Sequence, residues 1–153
     1  MNSKNVAASA GRVGDGAGPR SRPVGVTTGS ARRPVQQVVG AALAFDLESF
    51  VDDLRADEGW PAGEPNSVTL VNEPSLRVVL MALHAGERWN EHHVPGRVTI
   101  QTIDGHARLR LAGRVVDLRR GHLVALEGDL RHDVEAIEES AILVTVAWPT
   151  AQA

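Results

Sequence analysis

From Ser67 to Trp148 the chain repeats one pattern, a short apolar run closed by a turn signal. The runs span 68–71, 76–83, 98–103, 107–111, 115–118, 123–126, 134–137 and 141–148. Between them stand Asn72-Glu73-Pro74, Ala85-Gly86, Pro95-Gly96, Asp104-Gly105, Ala112-Gly113, Arg120-Gly121 and Gly128-Asp129. Short strands at this spacing, with no helical period among them, predict an antiparallel sandwich or barrel. Asp104-Gly105 reads as the tight turn of a hairpin. Alternation assigns faces: Ala107, Leu109 and Leu111 form a dry side, and His106, Arg108 and Arg110 a wet one.

Two runs break the alternation. In 76–83, Leu76, Val78, Leu80 and Ala82 oppose Val79, Met81 and Leu83, so both faces are apolar, and 141–148 behaves the same way. A strand of this kind is covered on both sides. One candidate cover is a helix just upstream. Asp46 caps it, Leu47, Phe50, Val51 and Leu54 give the i, i+3, i+4, i+7 stripe, and Phe45 with Phe50 occupy the positions of a hydrophobic staple. Gly59 and Pro61 end it. The other candidate is a second copy of the chain, and the repetition of the pattern in 141–148 leads us to expect a homodimer.

The first 40 residues hold seven glycines and three prolines and almost no bulky apolar group before Val35. Such a stretch cannot bury enough surface to offset its ordering entropy. The expected organisation is therefore a disordered tail over 1–44 and one domain over 45–153. Six basic residues against Asp15 leave positions 1–34 at +5, so the rest carries −8 of the net −3. An acidic body with three tryptophans, two phenylalanines and no tyrosine is a poor nucleic-acid platform. No apolar run approaches the ~20 residues that span a bilayer. Gln36 and Gln37 interrupt the one stretch that could be read as a signal sequence, 32–44, so the expected location is cytoplasmic. With no cysteine there is neither a disulfide nor thiolate chemistry.

Candidate chemistry lies between His84 and Gly105, together with His132. A glycine, five residues and a histidine (Gly86, His92) and a closing Gly105 resemble the first motif of the cupins, small germin-like jelly rolls. With that spacing Val94 takes the second-histidine position and Val98 the glutamate position; with one more residue, Glu91 and His93 take the two histidine positions. Gly121 and His132 match the second motif, where Glu127 and Asp129 replace its proline and second glycine. The resemblance covers roughly 70–148. It implies a cupin-type antiparallel jelly-roll barrel preceded by one short helix.

The resemblance also implies a divalent transition metal at the barrel mouth, held by His132 and by His92 or His93. Imidazoles suit iron, manganese, nickel, copper or zinc alike. In an extended backbone His92 and His93 point to opposite faces, so only one of them enters the barrel unless the Pro95-Gly96 corner intervenes. The other histidine, Glu91 or Gln101 would supply a third ligand. The competing expectation is a metal-free module that binds a small molecule in a barrel lined by Val98, Ile100 and Leu109. Simpler roles suffice for the rest: His84, His106 and His122 as solvated turn neighbours, Glu135, Glu138 and Glu139 as an acidic outer face. Arg97, Arg108, Arg110, Arg119 and Arg120 read as solubilising charges, with Arg97 able to hold an anion if it turned inward. Trp89 and Trp148 read as packing residues.

Overall fold

The computed structural model describes residues 37–39, 42–92 and 94–149. The helix begins where its cap predicts. The Asp46 carboxylate accepts from the Ser49 N–H at 3.2 Å, and α1 runs Leu47–Arg55. Phe45 and Phe50 meet edge to face with centroids 6.2 Å apart, completing the staple. Phe50, Val51 and Leu54 are buried. The helix closes earlier than the Gly-Pro signal, at Ala56, whose N–H bonds Asp52 O; Asp57 then turns the chain by accepting from the Gly59 N–H. Upstream, β1 (Gln37–Val39) and β2 (Ala42–Ala44) pair as a small antiparallel ribbon within the segment expected to be disordered. Residues 1–36 of that segment lie outside the described residues.

Nine further strands follow: β3 (Asn66–Glu73), β4 (Leu76–Leu83), β5 (Arg88–His92), β6 (Arg97–Asp104), β7 (His106–Leu111), β8 (Arg114–Arg119), β9 (Leu123–Leu126), β10 (His132–Ala136) and β11 (Ser140–Ala147). They make two antiparallel sheets, β3-β4-β11-β6-β9 and β5-β10-β7-β8. Their facing sides enclose one core that includes Met81, Leu83, Ile100, Leu109, Val134 and Ile142. This is the all-β jelly-roll barrel that the alternation and the resemblance imply.

The Asp104-Gly105 turn differs from its expectation. β6 and β7 belong to different sheets, so it is a corner between sheets and not a hairpin. Gly105 has φ +83°, and a Cβ there would run into the Glu139 carbonyl and stand 2.6 Å from Ser140 Oγ. Only a glycine allows so close a passage.

The helix covers part of the doubly apolar strands. Phe50, Val51, Leu54 and Trp60 pack on Leu80, Ala82 and Ala141, the outer face of the five-stranded sheet. Each large side chain buried there contributes roughly 1.5–3 kcal/mol. Arg55 then pins the helix to the corner, reaching Asp104 at 2.9 Å and Glu139 at 2.9 Å. The Arg55 guanidinium hydrogen-bonded to Asp104 holds that carboxyl below the ordinary aspartate range. Among the described residues no helix is long and apolar enough to cross a membrane.

Candidate functional site

His132 is the first residue of β10, and alternation puts His132, Val134 and Ala136 on the inner face. It is 3 % exposed. Its Nδ1 lies 2.9 Å from the Leu130 carbonyl, which can only accept, so Nδ1 carries the proton and donates. Of the two neutral tautomers this bond selects the one with its lone pair on Nε2. That nitrogen is buried and has no hydrogen-bond partner among the described residues. The Trp89 ring stands edge-on at 6.1 Å between centroids. A histidine that donates one ring N–H to a backbone carbonyl and presents the other nitrogen is arranged as metal-binding histidines are.

The turn before His132 makes this possible. Asp129 has φ 68°, the sole non-glycine residue with positive φ among the described residues. It stands where the cupin pattern has a glycine, and aspartate tolerates that backbone at modest cost. The Asp129 N–H donates to Val94 O at 3.4 Å. Gly128 lies so close to Gly96 that a Cβ on it would stand 3.2 Å from Gly96 O, and a Cβ on Gly96 would stand 2.7 Å from Ala147 O. The loops before β6 and before β10 are therefore pressed together at the mouth. Beside them the Arg77 guanidinium sits 5.5 Å from the Trp148 ring centroid.

The backbone register bears on the histidine pair. In the β10–β5 ladder His132 pairs with His92, whereas Val134 pairs with Trp89. Three steps along β5 thus match two along β10, which is a β-bulge. The bulge shifts the phase of β5, so position 92 and not 91 is opposite His132. His93 lies outside the described residues, as do the side chains of Glu91 and His92. Among the described residues no group of three or more histidines and carboxylates could hold a metal.

Other candidates go elsewhere. Val98, at the glutamate position of the motif, is a core residue at 3 % exposure, and Val94 packs against the same core. Gln101 alternates with the buried Val98, Ile100 and Thr102, which puts it on the outer face and removes it as a ligand. Val98, Ile100 and Leu109 do line the interior, but as packed core. His84 is not a solvated turn residue: its ring stacks on Trp60 at 3.5 Å and 15°. His106 is not solvated either, since its Nε2 bonds Asp117 Oδ1 at 3.1 Å. His122 is exposed.

The arginines of the outer face are paired with acids more than sequence suggested. Arg108 reaches Asp117 at 3.3 Å, and Glu135 lies between Arg110 and Arg88. Hydrogen bonds from His106 and Arg108 hold the Asp117 carboxyl below its ordinary range, and the Arg110 guanidinium does the same for Glu135. Arg97 is exposed on the outer face, and Trp89 and Trp148 pack against the core.

Sequence reasoning missed the Leu130 carbonyl and the Glu87 carboxylate. The first carries no side-chain signal. The second is buried and accepts from the Gly63 and His84 N–H groups at 2.8 Å each, a structural pin at the far end of β5.

No protein-family model matches the chain, and no curated protein matches it. Solved structures do. A cupin superfamily protein from Desulfitobacterium hafniense superposes with a TM-score of 0.56 at 15 % identity, over 58 % of this chain and 82 % of that one. An uncharacterized conserved protein with a double-stranded β-helix domain, from Klebsiella pneumoniae, gives 0.58 at 23 %, over 71 % and 92 %. A salicylate 1,2-dioxygenase from Pseudaminobacter salicylatoxidans gives 0.56 at 20 %, over 65 % of this chain and 33 % of the enzyme. At these identities the likeness is one of architecture.

Proposed function

The chain has the cupin fold, and from that premise we propose that it binds a divalent transition metal weakly at the barrel mouth through His132 Nε2 and His92. The observation that carries the reading is the His132 ring: one nitrogen tied to Leu130 O, the other buried without a partner among the described residues. An unpaired buried polar atom costs roughly 1–3 kcal/mol, which a ligand at that position would recover. Directly opposed residues of an antiparallel pair carry their Cβ atoms about 4.5–5.5 Å apart on one face, a separation two imidazoles can close on one ion. The donor set fits the metal in kind and falls short in number, because Val98 occupies the carboxylate position. Solvent would fill the remaining coordination sites, and affinity would be low. A bound ion would supply Lewis acidity there; the chain's own part is to orient His132 and to keep the inner wall dry.

Metal content tests this directly. After expression without chelator, the native chain retains metal, and His132→Ala and His92→Ala retain much less. Equal content in all three would sink the reading.

A second reading has its own support. With Val98 in the core at the motif's carboxylate position, the lone pair on Nε2 could accept from a hydrogen-bond donor on a small molecule. A thermal-shift panel separates the two, since only a species that binds the folded state raises the midpoint. The proposed location is cytoplasmic, supported by Gln36 and Gln37 in the apolar stretch, and cell fractionation checks it.

A further inference from the structure

Arg55, Arg88, Arg108 and Arg110 each turn to a carboxylate. Arg77 does not. Its Nε donates to Asn72 Oδ1 at 3.3 Å, and its guanidinium lies 5.5 Å from the Trp148 ring centroid. Asn72 and Arg77 are direct partners in the β3–β4 hairpin, so the register itself brings them together. Trp148 is held in turn. Its N–H donates to Ser75 O at 3.0 Å, and its Cδ1 would stand 3.2 Å from a Cβ on Gly96. Arg77 is therefore oriented by neutral groups, and among the described residues neither its charge nor its two Nη groups have a partner. It borders an open cleft of about 560 Å³ at the mouth end of the hairpin, lined also by Asn72, Glu73, Pro74 and Trp148. A small organic molecule fits that space. His132 does not line it, so the cleft is separate from the site proposed above.

We propose that this cleft binds a small organic monocarboxylate, its two oxygens on the Nη edge of Arg77 and its carbon body against Pro74 and Trp148. A guanidinium whose Nε is occupied still presents two Nη groups side by side, a fork that matches the two oxygens of a carboxylate. The aromatic contact uses none of these donors, since the ring attracts the cation through its quadrupole. Ordering a long side chain costs entropy, and here Asn72 and Trp148 have ordered it before any ligand arrives. Glu73 sets the ligand's charge. It is exposed on the rim of the same cleft, has no cation partner among the described residues, and repels an anion. One arginine beside one carboxylate leaves no surplus charge for a dianion such as hydrogen phosphate. A monocarboxylate meets less repulsion and offers carbon for Pro74 and Trp148 to cover. This inference does not depend on the metal.

An NMR titration of the full chain with sodium benzoate, in chelator and at fixed ionic strength, tests it. Benzoate should shift the amide resonances of the β3–β4 hairpin and the Trp148 indole N–H, and the shifts should saturate. Arg77→Gln should weaken binding about tenfold or more, because a charge-assisted pair of hydrogen bonds is lost. Arg77→Lys, which keeps the charge without the fork, should fall between the two. Glu73→Gln should tighten binding about twofold by removing an exposed like charge. Inorganic phosphate should bind more weakly than benzoate. The Glu73→Gln arm keeps the proposal testable even if Arg77→Gln fails to fold. The proposal is overturned by shifts that do not saturate, by shifts confined to His132 and its neighbours, or by an affinity indifferent to Arg77→Gln. It is equally overturned by a Glu73→Gln variant that binds no more tightly than the native chain, or by phosphate binding more tightly than benzoate.

Discussion

His132 and His92 stand directly opposite each other in the β10–β5 ladder, although two residues further along β10 the partner of Val134 is Trp89. That one-residue slip decides which of two adjacent histidines is aligned with the interior imidazole. It yields an unequal outcome for two similar substitutions. His92→Ala should strip most of the retained metal, and His93→Ala should leave most of it. Elemental analysis of the purified variants reads this out, and a larger loss from His93→Ala would contradict the ladder argument.

The same site should trade stability for binding. Without a ligand, His132 Nε2 has no partner among the described residues, at a cost of roughly 1–3 kcal/mol, and the ring gains about 1 kcal/mol from its bond to Leu130 O. His132→Leu keeps much of the volume and removes both effects. In chelator its melting midpoint should equal or exceed that of the native chain. With metal added, only the native midpoint should rise. A His132→Leu variant that is several kcal/mol less stable in chelator would mean that the histidine is a structural residue and not a binding one.

Most of the architecture was legible because it rests on patterns that side chains carry. Asp46, Phe45 and the stripe at Leu47, Phe50, Val51 and Leu54 predict α1, and the doubly apolar 76–83 run predicts a second layer over it. β5 escaped notice because Arg88-Trp89-Asn90-Glu91-His92 offers a single large apolar residue, as suits an edge strand with one wet face. The Asp104-Gly105 signal marks a change of direction but cannot say whether the next strand joins the same sheet. At the site, His132 and the histidine pair were legible as chemistry. The bulge that aligns His92, and the carbonyl that fixes the His132 tautomer, are properties of the backbone and leave no mark on residue type. His84 and His106 were misread because a glycine neighbour suggests solvent, whereas Trp60 and Asp117 come from distant positions in the chain.

Two glycines with nearly the same backbone separate strain from clash. Gly86 has φ +84° and nothing within 4 Å of a would-be Cβ, so Gly86→Ala should cost only the left-handed backbone, about 1–2 kcal/mol. Gly105 has φ +83°, and its Cβ would also stand 2.8 Å from Ser140 Cα. Gly105→Ala should therefore cost about 3 kcal/mol or more, since the β6–β7 corner must move away from β11. Denaturant midpoints of the two variants give the comparison. Equal losses would show that the corner yields freely.

The clamp between α1 and the corner should make stability depend on pH in a defined window. Hydrogen bonding from Arg55 lowers the Asp104 pKa from its ordinary 3.8. A carboxylate with a lowered folded-state pKa adds stability that is complete above the unfolded value and disappears as pH falls through the folded one. The Asp104 contribution is therefore full at neutral pH and is lost progressively below 3.8. Asp104 is 43 % exposed at its side chain, so solvent screens the pair and the effect is about 1 kcal/mol or less. Arg55→Gln should lower the melting midpoint modestly at neutral pH. It should also flatten the acid limb, because the largest cause of the lowered Asp104 pKa is then removed. Melting curves of both proteins from neutral pH to below 3.8 make the measurement. A variant whose midpoint falls as steeply with acid as the native one would show that the Arg55–Asp104 bond does not hold α1 against the barrel.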